Sequence, residues 1–150
     1  MNQETSKARI QACINRVFSM EEINGRERCP TYLYRWTLAR IGWLGIYLHH
    51  FVGDDWARDF HDHPKRFISI GLWGRYKEET PNGSRIYHAP WIRSFPATHI
   101  HRILMVDGAT CWTLVIVLKS VRAWGFWTEK GWFPWRIYVG DDVIAKKNCP

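Results

Sequence analysis

The chain has 150 residues, 46% hydrophobic and 15% aromatic, enough for one well-buried core and too few for two ordinary domains. Ten tryptophans, six tyrosines and seven phenylalanines exclude a disordered chain. The formal charge is +7, yet Lys and Arg never build a run of five, which argues against a nucleic-acid partner and leaves a basic soluble surface or an anionic small-molecule ligand.

Over Thr5 to Met20, the residues Ile10, Cys13, Ile14, Val17 and Met20 recur at helical spacing, which predicts an amphipathic helix. The polar segment Glu21 to Arg28, with Asn24-Gly25, ends it. Residues 1–28 are therefore read as a helix and linker packed on a β-barrel of residues 29–150, within a single domain. Cys13, Cys29, Cys111 and Cys149 lack the paired spacings of a zinc finger or disulfide framework and read as reduced thiols. No basic-then-apolar signal region opens the chain, and its longest apolar stretch, Trp112 to Leu118, is too short to span a bilayer. A cytoplasmic location with no membrane partner is the expectation.

From Thr31 onward, short runs of aromatic and β-branched residues alternate with turn signals, the pattern of an antiparallel all-β protein. Strands are predicted at Tyr32 to Leu38, Trp43 to Phe51, Arg58 to His63, Phe67 to Tyr76 and Arg85 to His88. Others follow at Ile92 to Phe95, His101 to Val106, Thr110 to Leu118 and Trp135 to Val139. Hairpins are expected at Pro81-Asn82-Gly83-Ser84 and, more strongly, at Asp107-Gly108. Trp124 to Trp135, with Gly125, Gly131 and Pro134, reads as a loop closing one end of the barrel. Many short strands this close together favour a barrel or sandwich.

Chemistry concentrates in His61-Asp62-His63 and His99-Ile100-His101. Alternate residues on a strand share a face, so His61 and His63 can offer two imidazoles to one ion. A third from His101, or from His99 as the alternate, would complete a site with positions left open for substrate. Asp62 should point away from this site, as a partner of the ligands or a surface carboxylate; Asp54, Asp55 and Asp59 read as loop acids, although Asp59 shares strand parity with His61 and could offer an oxygen donor. His49 shares a strand face with Tyr47, and both are candidate substrate contacts, as is Arg93. A two-residue turn at Asp107-Gly108 would set His101 opposite Leu114, with Ile103, Met105, Trp112 and Ile116 as an apolar wall, and makes Trp112 a further candidate contact.

These segments resemble the cupin family, whose first motif runs His-x-His, three or four residues, Glu, six residues, Gly, and whose second ends in a histidine shortly after a proline. His61, His63 and Gly74 match the first motif, and Pro96-Ala97-Thr98-His99-Ile100-His101 the second, with His101 at the ligand position. Phe67 stands where the family's Glu would be, which leaves three histidines. The resemblance implies a cupin-like jelly-roll barrel (a double-stranded β-helix) holding one divalent metal. Within the family, a three-histidine set resembles thiol and diketone dioxygenases, which favours Fe(II), with zinc or nickel as alternatives. Leu33-Tyr34-Arg35-Trp36, Gly45 to Phe51 and Trp124-Gly125-Phe126 also resemble small cupin-like proteins of bacteriophages.

Three functions follow as expectations. The first is a mononuclear non-haem iron dioxygenase acting on a small molecule. The second is a non-catalytic module that sequesters a small anionic or nucleotide-like signal in the host cytoplasm. The third is a sugar isomerase or epimerase that uses histidine bases without metal. A homodimer is expected from the same resemblance.

Overall fold

The structure, a computed structural model, describes residues 19–23 and 30–140. Most of the predicted N-terminal helix lies outside these residues, as do Cys13, Cys29 and Cys149. Met20, read above as the last residue of that helix, instead opens a strand. In chain order the elements are β1 (Met20–Ile23), β2 (Leu33–Ile41), β3 (Leu44–Phe51), β4 (Phe60–His61), β5 (Lys65–Thr80) and β6 (Gly83–His88). Then come β7 (Trp91–Phe95), β8 (Arg102–Leu104), β9 (Cys111–Ser120), β10 (Gly125–Thr128), β11 (Gly131–Pro134) and a short helix α1 (Trp135–Gly140).

All pairings are antiparallel, and the hydrogen bonding makes an eight-stranded sheet and a three-stranded sheet. The larger one folds on itself through β5, whose 16 residues serve two walls. Its first half, between β9 and β7, completes the wall β1-β2-β3-β9-β5-β7. Its second half lies between β6 and β8. The small sheet β11-β10-β4 joins this second wall through a bridge between His61 and His101. The two walls face one another across a cavity, the architecture of an all-β jelly roll.

Period-two alternation fixes which side chains enter the interior. On β3 the buried residues include Gly45, Tyr47 and Phe51, and on β9 Cys111, Thr113 and Val115. Trp112, Leu114 and Ile116 take the opposite face. Leu33, Phe51, Tyr76, Ile103 and Cys111 form one core cluster, and Trp56, Ala57, Phe126 and Tyr138 a second. Burial pushes the Cys111 thiol up to about 12, so it stays protonated and unreactive near neutrality.

On β5 the alternation breaks. Ser69 and Gly71 are buried, then Tyr76 and Glu78, so the inward parity changes from odd to even along one strand. The register against β9 shifts between Gly71 and Trp73, a bulge. Gly74 follows at φ 85° with its α-carbon pressed against the Thr110 carbonyl, where a Cβ would collide. Only glycine meets both demands.

Three sequence expectations are corrected. Asp107-Gly108 does make a tight turn, with φ of 52° and 66° and Ala109 N–H donating to Val106 O at 2.9 Å, but it does not join a hairpin. β8 and β9 instead lie end to end along the same edge of β5, with the turn as an excursion between them. Leu114 therefore never faces His101, and the wall of Trp112 and Ile116 is on the outside. The predicted loop Trp124 to Trp135 contains the β10–β11 hairpin, whose turn is closed by Thr128 Oγ1 accepting from Lys130 N at 3.0 Å. The predicted strand Trp135 to Val139 is helical, because Tyr138 turns in to stack on Phe126 at 3.9 Å and meets Trp56.

The constraint at Gly74 gives a prediction. Gly74→Ala should destabilise the protein by about 2 kcal/mol or more. Gly83→Ala, at φ 127° with nothing within 4 Å, should cost at least about 1 kcal/mol less, both read by urea denaturation.

Candidate metal centre and cavity

His61 and His101 sit opposite one another because their backbones exchange two hydrogen bonds, His61 N–H to His101 O at 2.9 Å and His101 N–H to His61 O at 3.0 Å. β4 is shorter than the predicted Arg58 to His63, and His63 lies past its end. The chain stays extended there because Asp62 N–H donates to Gly125 O and His63 N–H to Ala97 O, both at 3.0 Å. The three rings converge, with centroids 4.9–5.1 Å apart, and their donor nitrogens lie within 4.8 Å of one another. His63 Nε2 and His101 Nε2 are 2.9 Å apart. That is the distance of a hydrogen bond from one imidazole N–H to the other's lone pair, and it also leaves both nitrogens close enough to bind one ion at about 2.1 Å once that proton is displaced.

Glu78, absent from the sequence reading, governs the cluster. It is 3% exposed, and its Oε1 accepts from His101 Nδ1 at 2.7 Å and His99 Nε2 at 2.9 Å. Its Oε2 takes the Arg93 guanidinium at 2.5 Å, and Arg93 also donates to Tyr76 Oη at 3.1 Å. Burial alone would raise the carboxyl's pKa, but the bonds from His101, His99 and Arg93 outweigh it and hold Glu78 well below the usual carboxylate range. An ionised Glu78 fixes the His101 proton on Nδ1 and leaves Nε2 as a lone pair directed at His63. That is the arrangement in which a carboxylate orients a metal-ligating imidazole.

Desolvation lowers His101 from 6.5 to about 4, against the pull of Glu78. Desolvation, then the neighbouring His61, His101 and His99, takes His63 well below its ordinary value. Near neutrality both are uncharged and available as donors, so the residues present fit a divalent ion held by His61, His63 and His101. Phe67 packs edge-on to His63 at 4.7 Å and stacks on Phe95, a ring with no donor where the family's carboxylate would stand. His99 is in a turn, its N–H bonded to Pro96 O. Its ring lies 4.8 Å from that of His101 and shares Glu78 with it, so Glu78, His99 and His101 make a second group of donors within 4.8 Å of one another.

The loop acids have structural partners. Asp54 Oδ1 and Asp55 Oδ2 accept from the backbone of Met105 and Ile103 at 2.6 and 2.7 Å, and Asp55 Oδ2 lies 3.7 Å from His61 Nδ1. Asp59 takes the Tyr138 hydroxyl at 2.9 Å. Asp62 points away from the site, as expected, but is wholly buried rather than at the surface. It gathers Gly125 N at 2.8 Å, Trp127 Nε1 at 3.2 Å, Trp132 Nε1 at 3.1 Å and Arg122 at 2.8 Å.

The histidines open on a cavity of about 490 Å³. Tyr47 and His49 line it; Arg93 and Trp112 do not. Arg93 is held behind the site by Glu78, and Trp112 stacks on His50 at 4.0 Å and Trp36 at 5.5 Å on the outer face. The β9 wall is Thr113, Val115 and Val117, and cations come from Arg35, Arg40 and Lys65. Arg40 donates to Tyr47 Oη at 3.1 Å.

No family model and no curated protein matches the chain. Among solved structures, it is similar to a sugar phosphate isomerase of the cupin superfamily from Silicibacter pomeroyi, at 12% identity over 68% of this chain and 74% of that one, with a TM-score of 0.51. It is also similar to a cupin-like protein from Thermotoga maritima, at 16% identity over 65% and 80% with a TM-score of 0.50. A third is the polyketide cyclase RemF from Streptomyces resistomycificus, at 13% over 75% and 82% with a TM-score of 0.52. The chain has the cupin fold. No helix of the described residues is long and apolar enough to cross a membrane.

The depressed imidazoles predict an acid-labile metal-free protein. Unfolded His101 takes up a proton near 6.5 and folded His101 only near 4, so stability falls as pH drops through that window, by up to about 3 kcal/mol from this residue. Glu78 adds to the loss at still lower pH, since its carboxyl must be protonated against its partners. Denaturant titrations of chelator-treated protein at pH 7 and pH 4.5 would show the slope, and His101→Gln should flatten it.

Proposed function

We propose that the chain is a metal-dependent enzyme of cupin fold that holds one divalent ion on His61, His63 and His101 and acts on a small anionic molecule. The observation that carries this reading is the 2.9 Å approach of His63 Nε2 and His101 Nε2, with the far nitrogen of His101 tied to Glu78. Three neutral donors leave the ion's full charge uncompensated, which favours an anionic ligand. Arg35, Arg40 and Lys65 line the same cavity and favour the same sign.

A bound divalent ion supplies Lewis-acid polarisation of a substrate oxygen and, if it is ferrous iron, one-electron chemistry with dioxygen. The three-histidine set without a carboxylate makes the iron oxygenase our preferred form of the reading. The chain's own groups bind and orient: the cations draw an anion into the cavity, while Phe67, Val115 and Val117 keep the space beside the histidines apolar. The Arg40–Tyr47 contact favours a second, redox-free form. Because Tyr47 Oη accepts from Arg40, its own proton is free to pass to a bound substrate, as an isomerase or lyase would require.

Elemental analysis of protein purified without added metal or chelator is the first test. About one iron, nickel or zinc per chain, lost when His61 and His63 are both replaced by Ala with the fold retained by circular dichroism, is the expected result. Full metal content in the double variant would sink the ligand set. Dioxygen uptake by the iron-loaded protein separates the oxygenase from the redox-free form, and ligand binding without turnover would identify a sequestering module instead. Glu78→Gln should weaken metal affinity by roughly 10–100-fold, measured by chelator competition.

A further inference from the structure

Arg35, His49, Thr113 and Gly71 are successive partners on β2, β3, β9 and β5, so they form one lateral row across the cavity wall. The row ends where the Trp91 indole lies over Gly71, in the space a side chain would need. Among the described residues, three buried side-chain atoms lack a hydrogen-bond partner: His49 Nε2, Thr113 Oγ1 and Trp91 Nε1. All three belong to this row. A buried polar atom without a partner costs about 1–3 kcal/mol, so three side by side need a reason.

Thr113 shows it most clearly. It is 1% exposed and lines the cavity, and the same strand face continues with Val115 and Val117. A valine would fill the space of Thr113 with no orphaned hydroxyl. His49 also lines the cavity, and burial, aided by the Arg35 charge, takes its imidazole down to about 3, so it is neutral. Arg35 itself is engaged by Glu21 at 2.7 Å. Beyond Arg35 the row therefore presents uncharged hydrogen-bonding groups, while Arg35, Arg40 and Lys65 supply the cavity's positive charge.

We propose that His49 and Thr113 form a recognition subsite for an uncharged oxygen, a hydroxyl or carbonyl, on an anionic ligand whose charged end lies at the histidine centre. The inference rests on the metal-dependent reading and adds a substrate class to it: small hydroxy or oxo acids. A site that leaves buried polar groups unpaired without the matching oxygen discriminates strongly against ligands that lack it. Trp91 closes the end of the row by lying over Gly71.

Zinc-loaded protein, which has no redox turnover, is titrated calorimetrically with straight-chain carboxylates of two to six carbons and with their ω-hydroxy counterparts. At least one hydroxy acid should bind tenfold or more tightly than its plain partner, and the advantage should shrink to about threefold or less in Thr113→Val and in His49→Leu. Plain acids that bind with no gain from the hydroxyl at any length would overturn the subsite, as would a gain that persists in both variants. A fall of several degrees in the melting temperature of unliganded Thr113→Val, with selectivity intact, would mean that the hydroxyl serves the fold, and would overturn it too. Zinc content is measured on every sample: a chain that takes up no zinc brings down the metal-dependent reading, whereas a zinc-loaded chain without selectivity brings down only the subsite.

Discussion

The close approach of Gly74 to the Thr110 carbonyl is the contact on which the rest of the molecule turns. It lets β5 leave one wall of the barrel and enter the other, and with the bulge at Gly71–Trp73 it changes which face of the strand looks inward. Ser69 and Gly71 serve the first wall, and Tyr76 and Glu78 the second. Without that change of parity the carboxylate that orients His101 would point to solvent.

Once Glu78 is inside, its charge dictates the neighbourhood. A carboxylate with 3% exposure needs a cation and further donors, and Arg93 supplies the first while His99 and His101 supply the second. Arg93 is sandwiched against the rings of Tyr87 at 3.7 Å and Phe95 at 4.5 Å, which shield the pair from water. The electrostatic network thus runs from a surface-side guanidinium through the carboxylate to the imidazole that faces the cavity.

The all-β architecture, most strand centres and the convergence of His61, His63 and His101 were legible because they depend on local alternation and short motifs. Glu78 was not: the predicted strand stopped at Tyr76, and simple alternation continued from Phe67 would have turned Glu78 outward. The Asp107-Gly108 turn was legible as backbone chemistry, since both residues adopt positive φ, but which strands it would join depends on pairing along β5 that no local pattern encodes. The tail escapes local pattern for a related reason. Its tryptophans look like loop closure until Asp62, more than 60 residues upstream, is seen to hold their indoles. Tyr47 and His49 were found by sharing a face, whereas Arg93 and Trp112 carried no signal to show that one is held by a carboxylate and the other faces outward.

The position of Asp62 between His61 and His63 couples two distant parts of the chain. One tripeptide carries two of the three clustered imidazoles on one side and the anchor of the C-terminal hairpin on the other. The anchor's partners lie 63, 65 and 70 residues downstream, while the His63–His101 contact spans 38. Displacing the hairpin around Trp132 would therefore pull on Asp62 and, through the backbone on either side, on His61 and His63, so the tail and the histidine pocket are held in place by one buried residue.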